Sequence, residues 1–375
     1  MERVIKKVWF LLLLIFFSNF KGSIQFDTSG NEDWLIFGKD FFHSNYIDED
    51  IILPLKLKWE YKASSSPGIS PLIDSSRIFL PTLDGKIHIV NINDGKRLDR
   101  LKFGDGVFGT PAISGKYLYV TKNSLKESLY CYNLQKRKIV WKKKFGRMET
   151  SPVVYKKFII VCNLEGYIIC LKKSSSEIIW RYRMGNEIYS TPVIVDDKLL
   201  TSNVKGRLIL INIMKGIKIW EINLNSIVFS SPVYSNGHIF IGTREGNLMC
   251  IDILKGERKW KFKAGGAIYS TPSVNSDCVF FGSNDNFLYA LNQQSGKLIW
   301  KFKTGAIINS SPLITKNAVI FGSLDHNVYV LDIKDGKLQW KFNTKGRIKS
   351  NIISNGKYIF VGYEDKYLAA FSMNK

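Results

Sequence analysis

From Leu55 onward the chain alternates short apolar runs with polar turns, and the alternation repeats. One unit reads SSPLITKNAVIFGSLDHNVYVLDIKDGKLQWKFN, residues 310–343. After Ser-Pro comes a short run, PLIT, then a second, AVIFGS. An acidic turn at Asp325-His326 leads to a third, NVYVLDI, and a glycine turn at Gly336 to a fourth around Trp340. Two-residue alternation of β-branched and aromatic residues predicts strands and excludes an all-helical repeat. The turns fit hairpins, because tight hairpin turns need positive φ and Asp-Gly or Asn/Gly pairs supply it. Asp84-Gly85, Glu165-Gly166, Glu245-Gly246 and Asp285-Asn286 are the matching acidic turns.

The unit recurs eight times. Trp59, Trp141, Trp180, Trp220, Trp260, Trp300 and Trp340 share one register, with Asp99 on the beat between the first two. Pro71, Pro111, Pro152, Pro192, Pro232, Pro272 and Pro312 keep the same time, and Ile352 stands on the eighth beat. Four antiparallel strands in a unit of roughly 40 residues is the sequence form of a propeller blade. The last unit stops after a third run, YLAAFS, and the missing fourth lies at the other end, in LKLKWEYK around Trp59. The expected fold is therefore an all-β, eight-bladed propeller closed by its N-terminal strand, which leaves no open seam. The second blade carries an insertion, KNSLKES, which displaces its third strand by two residues.

Ahead of the repeat, residues 1–7 are basic and Val8–Phe17 are unbroken apolar residues, the pattern of a signal peptide or N-terminal signal anchor over residues 1–26. The run is shorter than the roughly 20 residues of a membrane-spanning helix. Residues 27–53 are expected to form a leader packed on the propeller, and residues 54–375 the propeller itself. The first cysteine is Cys131, so no N-terminal cysteine is present for lipidation.

Ten residues before most tryptophans stands a small or aliphatic residue, and four before, usually a glycine: Ala290, Gly296 and Trp300; Val330, Gly336 and Trp340; Cys250, Gly256 and Trp260; Leu210, Gly216 and Trp220. This resembles the tryptophan-docking motif of pyrroloquinoline-quinone-type (PQQ-repeat) propellers, in which the indole stacks on a neighbouring blade. The leader, with Asp33-Trp34, Gly38, His43-Ser44 and PLKLKW ending at Trp59, is similar to that of exported members. Among these the chain is most similar in type to the propeller lipoproteins of the outer-membrane β-barrel assembly machine, from which the missing anchor cysteine departs. The resemblance implies docking roles for the seven tryptophans and an innermost position for the strand after each proline. The family's dehydrogenases hold their quinone beneath a ring of two adjacent cysteines, with a calcium ion and a catalytic aspartate, in chambers built by insertions. This chain has no adjacent cysteine pair, and its blades are nearly all minimal in length. No catalytic, metal or cofactor-binding residue is therefore assigned.

Cys131, Cys170 and Cys250 occupy the third-strand position that other blades fill with Ile89, Leu210, Ala290 and Val330, so they read as small buried hydrophobes. Cys162 and Cys170 are expected to be diagonal neighbours on opposite faces of one hairpin. Cys278 is isolated. His43, His88, His238 and His326 fall in unrelated repeat positions, which gives no support to a shared metal site or a serine–histidine dyad. Hydroxyls precede the prolines (Thr110, Ser151, Thr191, Ser231, Thr271, Ser311), with Ser190, Ser230, Ser270, Ser310 and Ser350 one residue earlier. They read as turn formers satisfying backbone at a strand start, with a polar collar at a channel mouth as the functional alternative.

The net charge is +22 and the lysines are spread evenly along the chain, many in the tryptophan strand as WKFK. On an outer edge such lysines block edge-to-edge pairing, and with an export signal they give no argument for nucleic acid. Anionic lipid or polysaccharide of the envelope is the other partner class. Three residues before the prolines stand Phe108, Tyr189, Phe229 and Tyr269, against Glu149, Asn309 and Lys349 in other blades. Aromatic residues are enriched at binding hot spots, so these four are the candidate partner surface. The expected protein is a monomeric, exported, non-catalytic scaffold, periplasmic or envelope-associated, that binds protein partners such as the β-barrel assembly machine. The alternatives are a PQQ-dependent quinoprotein oxidoreductase and a surface polysaccharide-binding or sensor propeller.

Overall fold

The computed structural model describes residues 33–373; the signal segment expected at 1–26 lies outside them. The described chain forms eight four-stranded antiparallel sheets, one per repeat. Blade 7 is typical, with strands Leu313–Ile314, Ala318–Gly322, Asn327–Asp332 and Leu338–Asn343 hydrogen-bonded in that order. Blade 8 takes Ile353–Ser354, Tyr358–Tyr363 and Tyr367–Ser372 from the C-terminus and Lys56–Lys62 from the N-terminus. The closing pair runs antiparallel from Lys56 opposite Ser372 to Lys62 opposite Tyr367. The ring is closed as its repeat count requires. Among the described residues no helix is long and apolar enough to cross a membrane.

Burial explains the runs. Second and third strands lie between neighbouring blades, so Phe158–Cys162 is buried at every position and Tyr167–Lys172 at all but its ends. Fourth strands have one side in water and therefore alternate. In Arg258–Lys263, Trp260 and Phe262 are partly buried while Lys261 and Lys263 are exposed. Six of the seven repeat tryptophans stand directly opposite the third-strand residue ten positions earlier, as Ala290 opposite Trp300 and Cys250 opposite Trp260, and Trp59 stands opposite Ala370 across the closure. A bulge follows at that point in each such pair, as between Ala290 and Leu291.

The register corrects one expectation. Ile160 pairs with Cys170 and Cys162 with Ile168. Opposed residues share a face, and so do residues two apart on one strand. Cys162 and Cys170 are thus diagonal on the same face, in one apolar cluster with Ile160 and Ile168.

Candidate functional site

The first strands of neighbouring blades run side by side around the hub, and the two mouths of the hub are built differently. At the mouth where these strands end, the leader fills the opening. Ile73, Ile113, Ile194, Tyr234, Val274 and Ile314 each stand two residues after the proline of their blade. Their N–H groups donate to the carbonyls of Trp34, Leu35, Phe41, Phe42, Ser44 and Asn45, at 2.8–3.1 Å. The leader thus travels around the inside of the ring in blade order and passes blade 3 on the turn between Leu35 and Phe41. Innermost strand edges would otherwise present unpaired donors away from water, which is costly.

Side chains fix the path. Trp34, Phe37, His43, Ser44, Asn45 and Ile47 are buried. Asn45 donates to the Ser273 hydroxyl at 3.2 Å. His43 Nδ1–H donates to the Pro232 carbonyl at 3.0 Å, and burial lowers the imidazole to about 4, so it is neutral at pH 7. Asp40 accepts from the N–H groups of Phe42 and Ser44 and from the Ser44 hydroxyl; burial raises its carboxyl against those bonds. Gly38 is required here, since its φ is +75° and a Cβ would fall 2.6 Å from the His43 Cα.

At the opposite mouth, where the first strands begin, the loops between blades converge. Tyr189, Phe229 and Tyr269 form a continuous arc, with ring centroids 5.2 and 5.7 Å apart across successive blades. Phe108 is separated from this arc by Glu149, which accepts from Asn123 Nδ2 at 2.7 Å. Asn309 and Lys349 continue the circle beyond Tyr269, Lys349 paired with Glu364. The four aromatics are half-buried. The structure therefore brings three of the four together and sets the fourth apart.

Most hydroxyls below this mouth are engaged with the backbone, while the buried Thr110 Oγ1 has no partner among the described residues. The Thr110, Ser151 and Thr191 N–H groups donate to the side-chain oxygens of Ser151, Thr191 and Ser231, each one blade on, at 2.9–3.2 Å. Ser230, Ser270, Ser310 and Ser350 donate to the carbonyls of Gly242, Gly282, Gly322 and Gly362 within their own blades. The acidic turns also clasp blades: Asp285 and Asp325 accept from the Gly265 and Gly305 N–H groups of the preceding blade, both at 2.7 Å.

The tryptophans face the next blade. Trp59, Trp180, Trp220, Trp260 and Trp300 donate Nε1–H to the carbonyls of Ile92, Ile213, Ile253, Gln293 and Ile333 at 2.7–3.1 Å. The glycine each indole touches belongs to that next blade: a Cβ on Gly336, where φ is +70°, would lie 2.6 Å from the Trp300 ring. Trp340 meets Phe371 of blade 8 edge-on at 5.5 Å, and Trp141 lies 6.1 Å from Tyr119 of its own blade.

One cluster escaped the sequence reading. His88 Nε2 is 3.0 Å from Ser64 Oγ, which donates to Asp84 at 2.8 Å, and His88 Nδ1 is 2.7 Å from the Tyr61 hydroxyl. A serine and a histidine do meet here. Yet Asp84 contacts the serine, whereas a nucleophilic triad needs its carboxylate on the histidine, so the cluster is a seam between blades 8 and 1. Its register offered a signal, since His88 stands where Tyr289 and Tyr329 stand in blades 6 and 7.

Comparison with known proteins follows this architecture. The family model described as "Beta-alanine-activating enzyme, beta-propeller" matches residues 45–278, more than half of the chain, and that described as "Outer membrane protein assembly factor BamB" matches residues 216–361. The chain belongs to the PQQ-repeat β-propeller family. BamB from Moraxella catarrhalis superposes with a TM-score of 0.72 at 16% identity, over 85% of this chain and 100% of that one. The quinohemoprotein alcohol dehydrogenase from Comamonas testosteroni superposes with a TM-score of 0.79 at 13% identity, over 91% of this chain and 80% of that one. The computationally designed Ika8 protein gives 0.74 at 13%, over 83% and 98%. At these identities the likeness is one of fold. No curated protein matches the sequence.

The residues of this PQQ-repeat propeller do not fit a quinone and calcium. Its five cysteines are separate free thiols, and burial pushes Cys131 and Cys278 up to about 11, Cys170 and Cys250 to about 12, and Cys162 higher still. Among the described residues no three His, Cys, Asp or Glu side chains gather where an ion could sit. The leader occupies one end of the hub.

Proposed function

We propose that this propeller is a non-catalytic, monomeric protein-binding scaffold of the cell envelope, and that its partner docks on the aromatic mouth of the hub. The observation that carries the reading is the Tyr189–Phe229–Tyr269 arc, half-buried rings in contact across three blade junctions, opposite the mouth that the leader fills. Rigid loops on a closed ring hold such an arc without the ordering penalty of a flexible site. The family model for an outer membrane protein assembly factor supports the finer version, a subunit assisting insertion of β-barrel proteins into the outer membrane. Export by the segment 1–26 belongs to the same proposal.

Photocross-linking in intact cells from a reactive residue at position 229 identifies the partner. Phe229→Asp with Tyr269→Asp is expected to abolish capture and leave the melting curve in place; retained capture refutes the docking role. Binding of a glycan, with no protein captured, moves the site to polysaccharide recognition. Stoichiometric uptake of pyrroloquinoline quinone and calcium, with alcohol oxidation, overturns the non-catalytic reading.

A further inference from the structure

The lysines that are even along the chain are not even in space. The eight fourth strands form the outer rim, and they carry nineteen lysines and arginines against three acids, Glu60, Asp99 and Glu221. Most of the net charge of +22 is therefore on the circumference. Blades 5, 6 and 7 make the longest run of fourth strands that carry no acid of their own, RKWKFK, LIWKFK and LQWKFN, although Lys259 pairs with Asp252 of the neighbouring third strand. On it Lys261, Lys263, Lys301 and Lys303 are exposed, and none pairs with a carboxylate among the described residues. Leu298, Ile299 and Leu338 on the same strands are 44, 46 and 48% exposed.

Edge protection accounts for the lysines alone. Exposed aliphatics beside an open strand edge work against it, so a second role is needed to explain both. A soluble polyanion would use the charges and leave the aliphatics idle. An anionic bilayer uses both, because ammonium groups reach lipid phosphates while aliphatic side chains enter the boundary between headgroup and acyl chain.

We propose that the outer rim of blades 5–7 is a contact surface for an anionic lipid bilayer. The surface lies on the circumference, away from the hub mouth, and stands whether or not a protein docks there.

The test is sedimentation of the full chain with phosphatidylcholine vesicles, with and without phosphatidylglycerol. The apolar run at Val8–Phe17 acts on both kinds of vesicle and the basic residues 1–7 act on the anionic kind, so the rim is read from the change in the partition ratio between the wild type and the rim variants. That ratio is expected to favour the anionic vesicles and to fall as salt rises. Lysine-to-glutamine changes at Lys261, Lys301 and Lys303 should lower it by about fivefold each. Leu298→Ser with Ile299→Ser should weaken anionic-vesicle binding several-fold at an unchanged unfolding midpoint. Equal partition onto both vesicles overturns the proposal. So does undiminished vesicle binding by the Leu298→Ser, Ile299→Ser variant that dextran sulfate then displaces, which would make the rim a site for soluble polyanions.

Discussion

The seam between blades 6 and 7 and the seams on either side of blade 1 join equivalent strands in the same register, with different chemistry. Between blades 6 and 7, Trp300 is 7% exposed, bonds to the Ile333 carbonyl and rests on Gly336. Asp325 accepts from both Gly305 and the Tyr329 hydroxyl. Between blades 1 and 2, Asp99 replaces the tryptophan and Arg137 holds the positive-φ turn where five other blades have glycine and blade 3 has Ser176; the two form an exposed ion pair at 2.8 Å. Between blades 8 and 1 the tyrosine–aspartate clasp becomes the Tyr61–His88–Ser64–Asp84 chain. The exchange is coordinated. Where the following blade offers Gly95, Gly216, Gly256, Gly296 or Gly336, an indole bonds across; where it offers Arg137, the partner is an acid. One seam combines an indole with a carboxylate held below its ordinary value, one carries a histidine that titrates, and one is open to salt.

Removing the closing strand should break this comparison most severely. Deletion of Leu55–Lys62 takes away the outer strand of blade 8 and the Trp59 and Tyr61 contacts with blade 1. Calorimetry is expected to show loss of a single cooperative transition, and an unchanged endotherm would remove the closure argument. Next in size, Trp300→Ala should cost about 3–5 kcal/mol, read from denaturant midpoints. An unchanged midpoint would refute docking at the regular seam.

The titrating seam gives the third test. Burial, then the cations Arg100, Arg97 and Lys86, lower His88 to about 4 against the pull of Asp84. Because its folded value lies below the ordinary 6.5, the neutral ring is favoured on folding. That stability is complete above pH 6.5 and declines as pH falls toward 4, by up to about 3 kcal/mol. His43 titrates over the same window in the hub, so His88→Tyr should reduce the loss of stability between pH 6.5 and about 5, above the range where most carboxylates protonate; an unchanged slope there would take His88 out of the account. The smallest effect belongs to Asp99→Asn, under about 1 kcal/mol and absent at high salt. A larger loss would make that ion pair more than a surface contact.

The blade count, strand order and closure were legible because they rest on side-chain period: Pro312 and Trp340 mark their strands whatever surrounds them. The course of the leader was not. Its bonds run from the carbonyls of Leu35 and Phe42 to the N–H groups of Ile113 and Tyr234, and backbone groups leave no residue code. The docking glycine was visible but assigned within its own unit, because sequence spacing cannot say that Gly336 lies under Trp300 and not Trp340. His88 and Ser64 are 24 residues apart and meet only because the ring closes. Of the four aromatics, the interval of two beats between Phe108 and Tyr189 already separated one from the rest, and the structure does the same.

The strand that completes blade 8 is made before every other strand of the ring, and the three it joins are made after all the rest. The leader ahead of it is stitched to six blades that do not yet exist when it emerges. Residues 33–62 must therefore wait, with their apolar side chains uncovered, until Ile353–Ser372 has been made. A chain that stops before Ser372 has a first segment with nothing to hold, so the ring does not close on a shortened product.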